Sequence, residues 1–146
     1  MIIIANVIKM NVEGYEMPDD LYYHKGFMWA RVDGNIARIG LIDFAQKMAG
    51  DISYVEMPFD GDKVHQDAEV GTIETGKWVG KIFAPVSGTV KSTNERLYDD
   101  PTLINKDPYE EGWIFEIEMS NPDELRNLMR GDAAIEWLKG EIAKHK

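Results

Sequence analysis

The chain has 146 residues with 44% apolar content, the size and hydrophobicity of one domain closed around a single core. Acidic residues outnumber basic ones by 26 to 16, and the net charge of −10 excludes electrostatically driven binding to nucleic acid or anionic membranes while favouring basic docking partners. No cysteine is present, which removes disulfides, thiolate nucleophiles and cysteine-ligated zinc or iron–sulfur sites.

The apolar opening from Met1 to Met10 lacks a basic leader, a small-residue cleavage site and the roughly 20-residue length of a membrane span. Residues 1–20 therefore read as an N-terminal extension or edge strand, and a cytoplasmic protein is the expectation. From Phe27 to Ser92, short β-prone runs alternate with Gly, Pro, Asp and Asn, the pattern of a small antiparallel sandwich or barrel. The predicted strands are Phe27–Val32, Ile36–Leu41, Ile52–Glu56, Val70–Glu74, Trp78–Phe83 and Gly88–Lys91. Asp33-Gly34-Asn35 and Phe59-Asp60-Gly61-Asp62 are turn signals between them. Within this stretch Asp43 to Gly50 predicts a brief helix, capped by Asp43, with Phe44 and Met48 on one face and Gly50 as its stop. The phrases Gly50 to Pro58 and Gly80 to Gly88 are alike and about 30 residues apart, which admits a pseudo-symmetric pair of half-domains.

After Asn121 the period changes. Asn121-Pro122-Asp123-Glu124 predicts a helix start with Leu125, Leu128 and Met129 on one stripe. Asp132 caps a second predicted helix that carries Ile135, Leu138 and Ile142 on one face and lysines toward its C-terminus. The fold class is mainly β with peripheral helices, residues 21–120 forming the body and residues 121–146 the C-terminal helices.

The stretch Glu74-Thr75-Gly76-Lys77-Trp78-Val79-Gly80 stands out. Strand-forming residues flank Gly76-Lys77, and a glycine with positive φ would close a two-residue hairpin that leaves Lys77 projecting from its apex. A second turn at Ala84-Pro85-Val86-Ser87-Gly88 follows. A stiff β base with an exposed amine suits an amide-linked swinging arm, although a Gly-Lys turn taken alone is more often an ordinary solvated hairpin.

The larger run resembles the glycine cleavage H-protein family, lipoyl carriers with the biotinyl/lipoyl hammerhead fold, a barrel-sandwich hybrid. The resemblance covers about residues 21–130 and rests on Ile39 to Gln46, Gly50 to Pro58, Glu74-Thr75-Gly76-Lys77, Ala84 to Gly88, Asn94 to Leu97, Pro101 to Tyr109 and Gly112-Trp113. It implies that Lys77 carries lipoate as an amide, with Glu74, Thr75, Gly76 and Trp78 flanking the attachment. It also implies a carrier that does no chemistry of its own. The lipoate would be installed by a lipoate ligase, or by an octanoyltransferase followed by lipoyl synthase.

Two departures from the family pattern bear on the client. Glu-Ser-Val-Lys-Ala at the attachment site becomes Glu74-Thr75-Gly76-Lys77-Trp78, and His-Glu-Trp becomes Phe27-Met28-Trp29. The family's acidic residue helps hold an arm loaded with methylamine, and Met28 cannot accept a hydrogen bond from a protonated amine. Phe27, Met28 and Trp78 are thus expected to make an apolar arm cleft. In this the chain resembles the H-like lipoate-binding proteins that serve heterodisulfide-reductase-like complexes in sulfur oxidation, the favoured expectation. The alternative is an H protein of glycine cleavage working with the P, T and L proteins, in which Phe27 and Met28 are core drift. A non-lipoylated H-like interaction module is the reading from another class.

His24, His65 and His145 lie far apart without ligand-type neighbours and are expected at the surface, so no metal site is assigned. Trp29, Trp113 and Trp137 are expected in or near the core, with Trp78 set apart by its place beside Lys77. No phosphate loop or Ser/His/Asp arrangement is evident, so no catalytic residue is assigned.

Overall fold

A computed structural model describes residues 9–145, and most of the expected N-terminal strand, residues 1–8, lies outside them. The first described elements are β1 (Lys9–Val12) and β2 (Tyr15–Pro18), an antiparallel hairpin turned by Glu13 and Gly14, both at positive φ. Next come β3 (Tyr22–His24), β4 (Met28–Asp33) and β5 (Ile36–Leu41), then α1 (Asp43–Ala49). They are followed by β6 (Ile52–Glu56), β7 (Lys63–Val64), β8 (Glu69–Thr75), β9 (Val79–Phe83) and β10 (Gly88–Thr93). Two short helices, α2 (Arg96–Asp99) and α3 (Leu103–Lys106), precede β11 (Phe115–Met119). A 3-10 segment (Pro122–Asn127) and α4 (Gly131–Lys144) complete the described chain.

The strands form a six-stranded antiparallel sheet in the order β3-β4-β5-β11-β10-β7 and a three-stranded sheet in the order β6-β8-β9. Inward-facing residues of both, among them Trp29, Ile39, Phe115 and Ile117 from the larger and Ile52, Val55, Ile73 and Ile82 from the smaller, join one hydrophobic cluster. Ala134, Leu138 and Ile142 of α4 belong to it as well, at the spacing of one helical face. This mainly β body with peripheral helices matches the fold class expected. No helix among the described residues is long and apolar enough to cross a membrane.

Trp29 shows how the sequence packs the larger sheet. It pairs with Gly40 on β5, and a Cβ at Gly40 would lie 2.4 Å from the indole, so the ring lies flat on the glycine. Its indole N–H donates to the Pro108 carbonyl at 3.0 Å, which satisfies the polar handle of a fully buried ring.

Several local expectations are corrected. Asp43 does not cap α1: the N-cap is Ile42, and the Asp43 carboxylate, inside the first turn, accepts from the Glu16 N–H and the Gln46 amide. The stretch after Asn121 is 3-10 with no side-chain cap at Asn121, and Glu124, instead of reaching back to it, accepts from the Ser87 N–H and hydroxyl, each at 2.8 Å. Arg130, not Asp132, is the N-cap of α4. The two similar phrases place β6 and β9 on the two edges of the same three-stranded sheet, flanking β8. His24 is buried, not on the surface, for reasons given below.

Candidate functional site

Lys77 sits where β8 turns into β9. The Thr75 N–H donates to the Trp78 carbonyl at 2.8 Å, so Gly76 and Lys77 are the two residues that make the turn. The Thr75 hydroxyl accepts from the Lys77 N–H at 3.3 Å and stiffens it further. Gly76 does this without the positive φ expected of it. Below the turn, β8 is paired on both sides: Glu74 faces Tyr54 on β6 and Val79 on β9. The base is therefore stiff and the tip exposed, and among the described residues no ion pair engages the Lys77 amine.

The lysine stem does not stand free in all directions. Its Cε and Nζ lie 3.5 Å and 3.9 Å from the position a Cβ would take at Gly50, the residue that ends α1 at φ +83°. A glycine there lets the helix stop at positive φ, and the lysine stem lies at van der Waals distance from it. Gly50 is held from a distant part of the chain. Asn105 on α3 donates to the Gly50 carbonyl at 2.9 Å and to the Gln46 amide oxygen at 3.1 Å, and accepts from the Ile52 N–H at 2.9 Å.

Trp78 is 40% exposed and folds back along β9 over Gly80, where a Cβ would stand 1.9 Å from the indole. The two residues share a face of the strand, as the period of two requires. So placed, Trp78 walls two apolar cavities with Phe27. One, of about 490 Å³, is also lined by Leu41, Val79 and Phe83, with His24, Asp67, Lys25 and Lys81 contributing polar atoms. The other, of about 280 Å³, is lined by Ala45, Met48 and Ala49 of α1 and by His145.

Phe27 takes its place through a φ of +69°, rare for a bulky side chain, in a turn closed by its own N–H donating to the His24 carbonyl at 3.0 Å. The Phe27 carbonyl in turn accepts from the Ile42 N–H at 3.0 Å. His24 anchors this turn from beneath. Its Nδ1 accepts from the Gly26 N–H at 2.9 Å, which puts the ring proton on Nε2, facing the Asp67 carboxylate at 2.5 Å. Both ring nitrogens are thus occupied, and the ring stacks on Phe83 with centroids 5.9 Å apart. His24 holds the cavity wall in shape and has no free nitrogen for proton transfer.

Of the residues expected at the site, Glu74, Thr75, Gly76, Lys77 and Trp78 lie along the hairpin, and Phe27 meets Trp78 at both cavities. Met28 does not. It is fully buried in the core, where it opens β4 between His24 and Leu41, whereas Phe27 lies in the preceding turn at positive φ. The sequence reading did not place Gly50, Asn105, the His24–Asp67 pair, Met48 or Gly80 at the site, although it read Gly50 as the stop of a helix carrying Met48. Only Gly80 had a legible signal, a glycine two residues beyond a tryptophan in a strand.

A family model described as glycine cleavage H-protein matches residues 21–141. The chain is 44% identical to glycine cleavage system H protein 4 of Aquifex aeolicus over 92% of its own length and 79% of that protein. It is 44% identical to the glycine cleavage system H protein of Salinibacter ruber, covering 83% and 98%. With a probable glycine cleavage system H protein 2 of Sulfolobus acidocaldarius the identity is 41%, covering 90% and 91%. A crystal structure of a glycine cleavage system H protein from Mycobacterium marinum superposes with a TM-score of 0.73 at 26% identity, over 86% of this chain and 98% of the other.

Proposed function

This chain belongs to the glycine cleavage H-protein family, and on that premise we propose that it is a lipoyl carrier, with Lys77 the residue acylated, serving glycine cleavage. The observation that carries the assignment of Lys77 is its placement: an exposed primary amine, free of ion pairs among the described residues, at the tip of a doubly paired strand. The fit to lipoate is chemical. Two apolar cavities are walled by Trp78, the residue that follows Lys77, and an uncharged dithiolane on an alkyl chain is the kind of group such walls accept.

When attached, the dithiolane supplies reversible thiol–disulfide chemistry and a sulfur able to carry a transferred group. The chain's own residues present and shelter it. β8 and its neighbours fix the point of attachment, Gly50 lies against the stem, and Phe27 and Trp78 offer apolar surface nearby. Tethering then raises the local concentration of the arm at a docked enzyme. The partners are the P, T and L proteins of glycine cleavage and the enzyme that installs the lipoate.

Service to a heterodisulfide-reductase-like complex, favoured from the sequence, is the weaker reading. The relatives compared above all carry glycine cleavage names. Met28, on which much of that expectation rested, is buried away from both cavities, so its chemistry leaves the surroundings of the arm unaltered.

The test is intact-mass analysis after incubation with lipoate ligase, ATP and lipoate. A single lipoyl addition is expected on the full chain and none on Lys77→Arg. Loss of the lipoyl addition from Lys77→Arg alone supports the attachment site; an unmodified full chain counts against the carrier. Transfer of label from glycine to the lipoylated chain by glycine decarboxylase then separates the two clients, and no transfer would sink the glycine reading.

A further inference from the structure

The turn that carries Phe27 is built on the neutral form of His24. The Nδ1 lone pair accepts from the Gly26 N–H at 2.9 Å, the Phe27 N–H donates to the His24 carbonyl at 3.0 Å, and Phe27 is held at φ +69°. A bulky side chain keeps such a backbone only where its surroundings enforce it. On the other side of the ring, Nε2–H donates to Asp67, itself at φ +72° and tied by its own N–H to the Ala84 carbonyl at 2.8 Å. The imidazole between these partners is buried and stacked on Phe83.

A second proton has one place to go, Nδ1, and there it turns the acceptor into a donor. Two N–H groups would then face each other across 2.9 Å. Flipping the ring gives no relief, because no orientation of an imidazolium offers Gly26 an acceptor. Gly26 cannot yield toward β9 either: a Cβ on it would stand 2.5 Å from the Phe83 ring, so the glycine is already pressed against that ring. The contact is relieved as the turn moves outward, taking Phe27 with it.

The groups around the ring decide what survives. Asp67, on the turn after β7, is the carboxylate bonded to the imidazole and favours its charged form. Lys25, the next residue in the chain and a neighbour in the same cavity wall, opposes it, while the Lys81 ammonium of β9 is engaged by Glu69 of β8 at 2.8 Å. The Tyr23 phenol of β3 donates to the Pro18 carbonyl, and Gln66, Asn127, Leu128 and Met129, which share a second cavity wall with His24, are uncharged. The pair with Asp67 thus outlasts protonation and the bond to Gly26 does not, which makes the change local.

We propose that His24 and Asp67 form a pH-sensitive latch on the 24–27 turn, closed while the imidazole is neutral and opened when mild acid adds the second proton. Opening frees Phe27 from its positive φ and parts it from Trp137 of α4, whose ring centroid lies 5.8 Å away in the closed form. The latch does not depend on what Lys77 carries.

Nitrogen-15 NMR on the full chain between pH 8 and pH 5 reads both ends of the latch. A coupling through the hydrogen bond between the Gly26 nitrogen and His24 Nδ1 is expected at pH 8, and it is expected to vanish as the ring nitrogens report protonation. Over the same range the Phe27–Trp137 ring cross-peaks should weaken. Protection of the Gly26 amide against solvent exchange should fall by about two- to twelvefold, the worth of one hydrogen bond. His24→Gln should abolish the pH dependence. Asp67→Asn, which keeps a residue type at ease at positive φ and removes the counter-charge, should move the transition to lower pH. Should His24→Gln not fold, Asp67→Asn decides on its own. A ring that gains its proton while the Gly26 coupling and the Phe27–Trp137 cross-peaks persist would overturn the latch. So would a ring still neutral at pH 5, or a transition unmoved in Asp67→Asn.

Discussion

Tyr109→Phe removes one oxygen from a position where two backbone groups depend on it. The Tyr109 hydroxyl donates to the Glu16 carbonyl at 2.7 Å and accepts from the Asp43 N–H at 3.0 Å, so it ties the β1–β2 hairpin to the start of α1. Glu16 is exposed and its carbonyl can turn to water, at a net loss of about 1 kcal/mol. Asp43 is buried, and its orphaned N–H adds about 1–2 kcal/mol. The expected destabilisation is about 2–3 kcal/mol, or a melting temperature lowered by about 6–10 °C for a chain of this size.

The same variant has a signature in alkali. Burial, first of all, pushes the phenols of Tyr23 and Tyr109 well above the ordinary 10.0. Above pH 10 the unfolded chain gives up these protons and the folded chain keeps them, so the unfolded state binds fewer protons and stability falls as pH rises. Each tyrosine contributes about 1.4 kcal/mol per pH unit in that range. Urea unfolding between pH 7 and pH 11 should show the wild type losing stability above pH 10 and Tyr109→Phe losing it less steeply, by one tyrosine's share. A loss under about 0.5 kcal/mol at pH 7, or an unchanged alkaline slope, would refute the reasoning.

Gly40→Ala forces a methyl group into the Trp29 indole at 2.4 Å, and since both residues are interior the expected cost is at least about 1–3 kcal/mol by chemical denaturation. Gly80→Ala displaces a ring that can swing out to solvent. The expected result is a red shift of tryptophan emission and loss of near-ultraviolet ellipticity, with stability changed by less than about 1 kcal/mol.

The strands of the central run were legible because turn residues bracket alternating apolar positions: Ile36–Leu41 and Ile52–Glu56 match the predicted bounds, and β8 through β10 fall within two residues of theirs. β1 and β2 were anticipated only as an edge strand or extension over residues 1–20, and not as a hairpin, because Glu13-Gly14 is not among the strongest turn pairs and the adjoining residues do not alternate cleanly. β11 escaped because Phe115–Met119 takes its partners from β5 and β10, far along the chain. Lys77 could be singled out from local sequence, since a hairpin tip is a local structure. Its surroundings could not. Gly50, Asn105 and His145 lie 27, 28 and 68 residues away, and only tertiary closure brings Asn105 to Gly50 or Trp78 to His145. The Met28 expectation failed because Met28 begins a strand paired on both sides within the core, while Phe27 sits in the turn before it at positive φ.

The double pairing of β8 leaves the backbone beneath Lys77 little slack. On the proposed acylation of Lys77, the range the arm sweeps is therefore set by torsions of the lysine stem and its acyl extension, like a leash fastened to a fixed post. Each enzyme that handles the arm must bring its own reaction centre inside that radius. The face around the β8–β9 turn is then the common ground that successive partners share by taking turns.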